Sequence, residues 1–512
     1  MFILVDDWGW ANAGFHRTDN SSEAVTPNID ALAHGGMILD RHYVFKYCSP
    51  TRCALQTGRN PTHVNVLNSP IIQHNPADPI AGFQGAAVNF TGIAEKLKGV
   101  GYSTHMVGKW NAGMAHQRQS PAGRGYDSSL FYYDYDTFFW NGTMGACGTT
   151  AITDLSMSEG SKARTVPAHG LNNTWDCSQA NESPEACPHG YQDDLFFQHV
   201  EQVLANASAN PDVPFFLFWA PHAPHDPYEV PEEVLDKFAN ITQRERRFYS
   251  AMVNYLDTNF GKLEATLRAN GLWDNLLAVV SSDNGGPVGD PYGGNNWPLR
   301  GGKGSNFEGG VRANAFAFGG ALDPSLAGTV QEGLIGIEDW WTTFALLGGA
   351  DTTDASAAAA GLPGVDGLDM RGLFLPGGNR TSPREFIVLG SSNASIDTGH
   401  TNVEGVIRKD GFKLLLGRGI PVNFWQGPVY PNASGYPNPK ALDCRTGCLW
   451  NVFDDPHEIN EISGSHPKIV SELTTVIGDL SKRVFSPDRG GDDGLACSAA
   501  ARNGGFWSSF LD

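Results

Sequence analysis

The amino-acid sequence predicts an α/β protein in which helices cover both faces of a large, mostly parallel sheet. Short, continuous apolar runs alternate with helical patterns along most of the chain, as expected of strands that are buried on both faces. The clearest helix covers Gln243–Ala269, where apolar residues recur at helical spacing until Asn270-Gly271 ends the pattern. The predicted core strands are Phe2–Val5, Ser103–Gly108, Phe215–Trp219, Leu276–Ser281 and Asn314–Phe318.

The sequence pattern changes after Asp351–Asp369, a stretch rich in Ala, Thr, Gly and Pro that is typical of a linker. Beyond it, short strands and an amphipathic helix near Lys468–Val484 predict a small antiparallel sheet that carries a terminal helix. We therefore expect a large domain at 1–375, a small α+β subdomain at 376–485 and an irregular tail at 486–512. The strands predicted for the small sheet are Phe386–Leu389, Val406–Arg408 and Lys413–Leu416.

Composition excludes several classes of function. Of the 512 residues, 41% are hydrophobic and 18% are charged, which is typical of a globular protein and excludes disorder as the main state. The net charge of −20 has the wrong sign for a surface that binds nucleic acid. An anionic substrate would therefore need a local cationic pocket. The longest apolar run, near Phe215–Trp219, is far too short for a transmembrane helix.

The cellular compartment is suggested by indirect signals. The chain opens inside a predicted strand without a signal peptide, so we expect a truncated amino terminus. Eight cysteines suit an oxidising compartment, and Cys177 with Cys187, or Cys444 with Cys448, could close short loops. Glycosylation sequons predict a glycoprotein of the secretory pathway, extracellular or lysosome-like, although chance occurrence in an Asn-, Ser- and Thr-rich chain is the alternative. They lie at Asn20, Asn89, Asn141, Asn172, Asn181, Asn206, Asn240, Asn379, Asn393 and Asn432.

The most informative segment is "YCSPTRCALQTGR", which begins at Tyr47. Taken alone, Cys48 could be a buried structural cysteine in a proline-containing turn. The pattern Cys-X-Pro-X-Arg, followed by a helix and Thr-Gly-Arg, resembles the signature of type I sulfatases, in which the cysteine is oxidised to formylglycine (3-oxoalanine). The resemblance covers roughly residues 2–480 and is greatest to the arylsulfatase B branch, N-acetylgalactosamine-4-sulfatase and its relatives. It implies an alkaline-phosphatase-like fold.

Two acidic or amide pairs follow predicted core strands. Asp6 and Asp7 follow the first strand, and Asp283 and Asn284 follow the strand that ends near Ser281. Each pair alone is more often a strand-to-turn cap. Together they offer hard oxygen ligands, which suit calcium or magnesium. The resemblance implies that these four residues and the modified Cys48 bind one calcium ion, with magnesium as the alternative.

Cationic side chains form a third group of candidates. The resemblance implies that Arg52 and Lys109 hold the formylglycine, whereas His225 and Lys303 bind the sulfate and help the leaving oxygen depart. We prefer His225 to His222 because the following "DPYEVP" matches the context of the sulfatase histidine. One departure is Asn111, which stands where the family has a histidine. Asparagine can form hydrogen bonds but cannot take up a proton.

The sequence thus predicts a sulfuric ester hydrolase that acts on sulfated carbohydrates and depends on a formylglycine-generating enzyme for maturation. Two alternatives remain open at this stage. One is a phosphonate or phosphodiester hydrolase of the same superfamily, which can share the formylglycine and the metal. The other is a sulfated-glycan binding protein with impaired catalysis, which the substitution at Asn111 would allow.

Overall fold

The computed structural model describes residues 1–19, 21–148, 150–159, 166–167, 190–391, 403–418, 420–429 and 442–511. A ten-stranded mixed sheet forms the centre of the fold, and five adjacent strands in its middle are parallel. In spatial order the ten strands are Val166–Pro167, Ser156–Glu159, Ser128–Tyr132, Ser103–Lys109, Phe215–Ala220, Phe2–Val5, Ala278–Ser282, Ala315–Phe318, Met37–Leu39 and Thr329–Gln331.

The strand Phe2–Val5 lies inside the parallel segment, where Phe2 pairs with Phe218 on one side and Val279 on the other. Its side chains alternate between two hydrophobic cores, so both faces of the strand are buried. This explains why the strand reads as an uninterrupted apolar run. All five predicted core strands are present, with ends that differ by at most two residues, but Ala315–Phe318 runs antiparallel to its neighbour.

Helices cover both faces of the large sheet. Arg244–Ala269 and Gln192–Ala209 contribute to the core on one face, whereas Cys48–Thr57 and Asp339–Leu347 contribute to the core on the other. The remaining α-helices are Pro27–Gly35, Pro61–Val64, Ile93–Lys98, Glu232–Leu235, Glu308–Val311, Ala355–Ala359, Arg371–Phe374, Pro467–Ser481 and Gly494–Arg502. Among the described residues, no helix combines the length and the apolar character that a membrane span requires.

A separate four-stranded antiparallel sheet follows in the chain, with the strands Phe386–Gly390, Val403–Arg408, Phe412–Arg418 and Asp443–Asn451. The helix Pro467–Ser481 packs on one face of this sheet, as the sequence predicts. The other face packs against residues near Phe307 of the large domain. Smaller two-stranded pairings join His42–Tyr43 to Ile335–Gly336, Gln73–His74 to Gly491–Asp492, and Thr143–Cys147 to Thr150–Thr153.

The tail after Ser486 differs from its prediction, because it contains the helix Gly494–Arg502 and returns to the large domain. The disulfide Cys147–Cys497 joins the two parts of the chain, and Trp507 is buried in one of the large cores. The partners of the tail lie hundreds of residues away, so a local pattern gave no sign of this packing. Of the two short-loop pairings that the sequence allows, the structure shows the disulfide Cys444–Cys448. Cys177, Cys187, Asn20, Asn172, Asn181, Asn393 and Asn432 lie outside the described residues.

Lys413 anchors the small sheet to the large domain through buried ion pairs. Its Nζ lies 2.9 Å from Glu308 Oε1 and 2.8 Å from Glu458 Oε1, and none of the three side chains is exposed. Removing one member of a buried ionic cluster leaves the other charges without compensation. We therefore expect Lys413→Ala to lower the free energy of unfolding by about 3–5 kcal/mol in urea titrations.

The matched control is Lys468→Ala, because the Lys468 side chain is 91% exposed and lies 4.0 Å from Glu472. This change should alter the free energy of unfolding by less than about 0.5 kcal/mol. Equal effects of the two substitutions would show that the buried cluster does not anchor the small sheet.

Candidate active site

Polar side chains converge where the parallel strands of the large sheet end. Because the carboxyl ends of parallel strands meet at one edge, ligands of α/β proteins usually bind there. All of these side chains are buried, although polar groups of this kind are mostly exposed in proteins. The residues that end or follow the parallel strands at this edge are Asp6, Asp7, Lys109, His225, Asp283 and Asn284.

Cys48 is the first residue of the helix Cys48–Thr57, and its side chain is buried among the carboxylates of this edge. Tyr47 precedes it in extended backbone, and Pro50 is tolerated because it lies in the first turn. The helix ends at Gly58 with φ 67°, a conformation that favours glycine. The amino terminus of the helix therefore presents residue 48 where the helix dipole favours negative charge.

The carboxylates and the amide form one hydrogen-bonded group with Cys48. The Cys48 thiol lies 3.7 Å from Asp6 Oδ1 and 4.0 Å from Asp7 Oδ1. Asn284 Nδ2 donates to Asp7 Oδ1 at 2.7 Å, and the backbone N–H of Asp7 donates to Asp283 Oδ1 at 3.1 Å. Asp7 also has left-handed backbone at φ 58°, which is uncommon for a residue other than glycine and is frequent at active sites.

Two buried cations bind this group from one side. Arg52 donates from Nε and Nη2 to Asp283 Oδ2 at 3.0 and 2.8 Å, a geometry that lysine could not reproduce. Its Nη1 donates to the backbone carbonyl of Lys109 at 2.9 Å. Lys109 Nζ donates to Asp6 Oδ2 at 2.7 Å. The two cations thus fix the orientation of two of the carboxylates.

Lys303 and His225 lie beside the third carboxylate, that of Asp7. Lys303 Nζ lies 2.7 Å from Asp7 Oδ2 and 3.1 Å from His225 Nε2. His225 Nδ1 lies 2.5 Å from the backbone carbonyl of Asp226, which can only accept a hydrogen bond. We assign the proton of the neutral ring to Nδ1 for this reason, so Nε2 accepts from Lys303. Lys303 is therefore the group that holds a proton at this position.

Burial and charge shift the pKa values of the site in defined directions. Burial opposes ionisation of Asp283, but Arg52 and Lys109 outweigh it and lower the pKa of this carboxyl. Burial and the charge of Asp283 raise the pKa of the Cys48 thiol, so an unmodified Cys48 is a neutral, weak nucleophile. Burial and Lys303 lower the pKa of His225, which agrees with its neutral form.

The donor set fits a hard divalent cation. Ligand atoms of Asp6, Asp7, Cys48 and His225 lie within 4.8 Å of one another. Asn284 Oδ1 is buried and has no hydrogen-bond partner among the described residues, which makes it available as a ligand. Carboxylate and amide oxygens suit calcium and magnesium. Three carboxylates balance three cations here, so an added divalent ion would leave the pocket positive and attractive to an oxyanion.

Asn111 and His222 lie beside the charged cluster, but the structure places neither in its network of ion pairs. Asn111 is buried at φ 48°, and its Oδ1 has no hydrogen-bond partner among the described residues. The His222 ring stacks on Phe139 at 3.9 Å between centroids, and its Nδ1 lies 2.8 Å from Gln192 Oε1. The choice of His225 over His222 stays a prediction, and the contact between His225 and Lys303 favours it.

Sequence reasoning missed acidic residues at the edge of the site. Asp134 and Asp136 are 8% and 7% exposed, and the charges of both carboxylates interact with that of Lys109. They lie in the segment after the strand Ser128–Tyr132, which carries no recognisable motif. The aspartates of "YYDYD" could have drawn attention as acidic residues after a core strand, but their burial could not be foreseen.

The fold and this charged cluster together define a hydrolase whose site is built for an oxyanion. The family model described as Sulfatase matches residues 1–350. Arylsulfatase J of Mus musculus is 31% identical over 501 residues, which cover 94% of this chain and 75% of the relative. The chain belongs to the sulfatase family and is an enzyme that hydrolyses sulfate esters.

Solved structures support the fold. The crystal structure of Ps i-CgsB in complex with k-i-k-neocarrahexaose matches with a TM-score of 0.71 and 24% identity, covering 98% of this chain and 96% of that one. The structure of BT4656 in complex with its substrate D-glucosamine-2-N,6-O-disulfate matches with a TM-score of 0.59 and 16% identity, covering 94% and 95%. The predicted alkaline-phosphatase-like fold and the family are both confirmed.

Calcium should stabilise the protein through the oxygen ligands described above. A divalent ion such as calcium that binds these ligands in the folded state alone should, at a hundredfold excess over its Kd, add about 2.7 kcal/mol to the free energy of unfolding. Asn284→Ala should remove most of this gain, whereas the exposed Asp212→Asn should retain it. Thermal unfolding with calcium and with a chelator measures the effect. An equal calcium effect in Asn284→Ala and the native protein would exclude Asn284 as a ligand.

Proposed function

We propose that this sulfatase hydrolyses sulfate esters of carbohydrates, with Cys48 converted to formylglycine and a calcium ion held by Asp6, Asp7, Asp283 and Asn284. The observation that carries the proposal is the position of Cys48. It stands at a helix amino terminus against two carboxylates, and three cations lie around the same group. A buried structural cysteine would have no need of this arrangement, because burying so many charges is costly even when they are paired.

Formylglycine and the calcium ion would supply the chemistry that the unmodified side chains lack. The hydrate of formylglycine carries two hydroxyls on one carbon, so that one can attack sulfur and the other can release sulfate as the aldehyde re-forms. Calcium, or magnesium in its place, would supply positive charge that stabilises the reacting oxygens. Neither serine nor cysteine has the second hydroxyl, which explains why a modified residue would be selected at position 48.

The other residues of the chain would bind and orient the reactants. Arg52 and Lys109 would hold residue 48 and spread negative charge that develops in the transition state. Lys303 holds a proton at Nζ and would donate it to the leaving oxygen, with His225 Nε2 beside it as a sulfate ligand or proton relay. Asp283, whose pKa Arg52 lowers, is ionised and would accept the proton when sulfate is released. Asn111 would donate from its amide to residue 48 or the sulfate.

A carbohydrate is the substrate class that the comparisons favour. One structural neighbour was solved with D-glucosamine-2-N,6-O-disulfate as its substrate and another with k-i-k-neocarrahexaose. Two disulfides, Cys147–Cys497 and Cys444–Cys448, suit an oxidising compartment. The sequon residues Asn206, Asn240 and Asn379 are exposed, as glycosylation requires. We therefore propose a secreted or lysosome-like glycoprotein that meets a formylglycine-generating enzyme during synthesis.

Mass spectrometry of the tryptic peptide Tyr47–Arg52 tests the modification directly. Protein made together with a formylglycine-generating enzyme should lack the sulfur of Cys48 and carry an aldehyde or its hydrate there. Cys53 is the matched control within the same helix, and its sulfur should be retained. A free thiol at Cys48, under conditions that convert an established sulfatase, would contradict the proposed nucleophile and favour the sulfated-glycan binding protein.

Substitutions in the cluster test the assigned roles. Cys48→Ser, Asp283→Ala and Lys303→Ala should each lower kcat/KM for p-nitrophenyl sulfate by more than about a hundredfold, since each removes a nucleophile, charge or proton partner. The exposed Asp212→Asn serves as the control. Near-normal turnover in any one variant would exclude the role given to that residue. Faster hydrolysis of a phosphodiester than of the sulfate ester would favour the phosphonate or phosphodiester hydrolase.

A further inference from the structure

A buried carboxylate beside the proposed sulfate pocket has no evident structural task. Asp136 is 7% exposed, and its Oδ1 makes no hydrogen bond with any residue that the structure describes. Buried polar atoms in native proteins nearly always have partners, so an exception requires an explanation. The cations Arg52, Lys109 and Lys303 are not the partners of this oxygen, because each is already paired with another carboxylate.

The electrostatic neighbours of Asp136 place it at the site. Burial raises the pKa of Asp136 to about 7. Asp226 raises it further, whereas a protonated His225 would lower it. Asp226 follows His225 directly, and its Oδ1 lies 3.4 Å from His225 Nδ1. Lys109 also acts on Asp136. The carboxylate therefore lies close to two residues that would bind the sulfate or residue 48.

The segment that carries Asp136 is held in place by the two residues Thr137 and Phe139, which follow it in the chain. Thr137 and Gln192 exchange side-chain hydrogen bonds, with the Gln192 amide donating to Thr137 Oγ1 at 2.9 Å. The backbone N–H of Phe139 donates to Glu229 Oε2 at 2.7 Å, and its ring stacks on His222. A carboxylate on so fixed a segment is preorganised for a partner and does not need to move to meet one.

We propose that Asp136 is a specificity residue that accepts a hydrogen bond from a free hydroxyl next to the sulfate ester of a sugar. The proposal rests on the proposed function and refines it. A hydrogen bond to Asp136 would favour sugar sulfates that carry a neighbouring hydroxyl over aryl sulfates that lack one. A carboxylate accepts from hydroxyls strongly, and a site built to pair with a hydroxyl discriminates against ligands that lack it. The sulfate group itself would still be bound by His225 and Lys303.

The test compares two kinds of substrate in Asp136→Asn and Asp136→Ala. The kcat/KM is measured for p-nitrophenyl sulfate and for the 4- and 6-sulfates of galactose and N-acetylgalactosamine. The ratio of the best sugar sulfate to the aryl sulfate should fall by about tenfold or more, the scale of a lost charged hydrogen bond. A deoxy analogue without the neighbouring hydroxyl should be a poor substrate of the native enzyme and lose nothing further in Asp136→Asn.

Asp134→Asn is the matched control, because Asp134 lies in the same segment with similar burial but accepts from the backbone N–H of Tyr135 at 2.8 Å. It should leave the substrate ratio as it is. Above pH 7, where Asp136 is ionised, Asp136→Asn should also raise the midpoint of thermal unfolding, since it removes a buried charge without a partner. This second measurement distinguishes an unpaired specificity residue from one that supports the fold.

Several outcomes would overturn the proposal. An equal loss for sugar and aryl sulfates would show that Asp136 acts through His225, and an unchanged ratio would show that it does not touch the sugar. Native enzyme that hydrolyses the aryl sulfate but none of the sugar sulfates would exclude the role of Asp136 while leaving sulfate ester hydrolysis intact. Native enzyme, with formylglycine confirmed, that hydrolyses neither would refute the proposed function first.

Discussion

The compensation of buried charge is the constraint on which the site and much of the fold depend. Three carboxylates and three cations meet at the edge of the sheet, all of them fully buried except the partly exposed Lys303, and each buried charge would be strongly unfavourable without its partner. The partners come from segments as distant as Asp6 and Lys303, so only the complete fold brings them together. The buried parallel strands supply the rigidity that this requires, because their close-packed cores on both faces resist small displacements.

Much of this arrangement could be predicted from local sequence. The core strands are short apolar runs, and the residues that follow them had to meet at one edge once the sheet was parallel. The motif around Cys48 identified the family, which the comparisons confirm. The predictions of the strands and of the family succeeded because each depends on a pattern of a few neighbouring residues or on the geometry of parallel strands. The role assigned to His225 comes from its sequence context alone and stays a prediction.

Other features depend on contacts between distant residues and could not be predicted. Lys413 looks like an ordinary strand lysine, and only the packing of the small sheet buries it between two glutamates. The helix Gly494–Arg502 is too short and too rich in alanine to be distinguished from an irregular tail, and its disulfide partner is 350 residues away. Asp136 belongs to no recognisable sequence motif. Its proposed role in substrate specificity rests on its burial and its unpaired oxygen, which only the structure reveals.

The burial of Cys48 has a consequence for the order of events during synthesis. Its side chain is inaccessible in the folded protein, beneath carboxylates and cations that belong to distant segments. A modifying enzyme could reach it only while the strand that ends at Lys109 and the loop that carries Lys303 had not yet closed over it. Under the proposed conversion of Cys48, maturation and folding would compete kinetically. A chain that folded first would be trapped in a stable but unmodified state, so the active fraction would be set by relative rates rather than by stability.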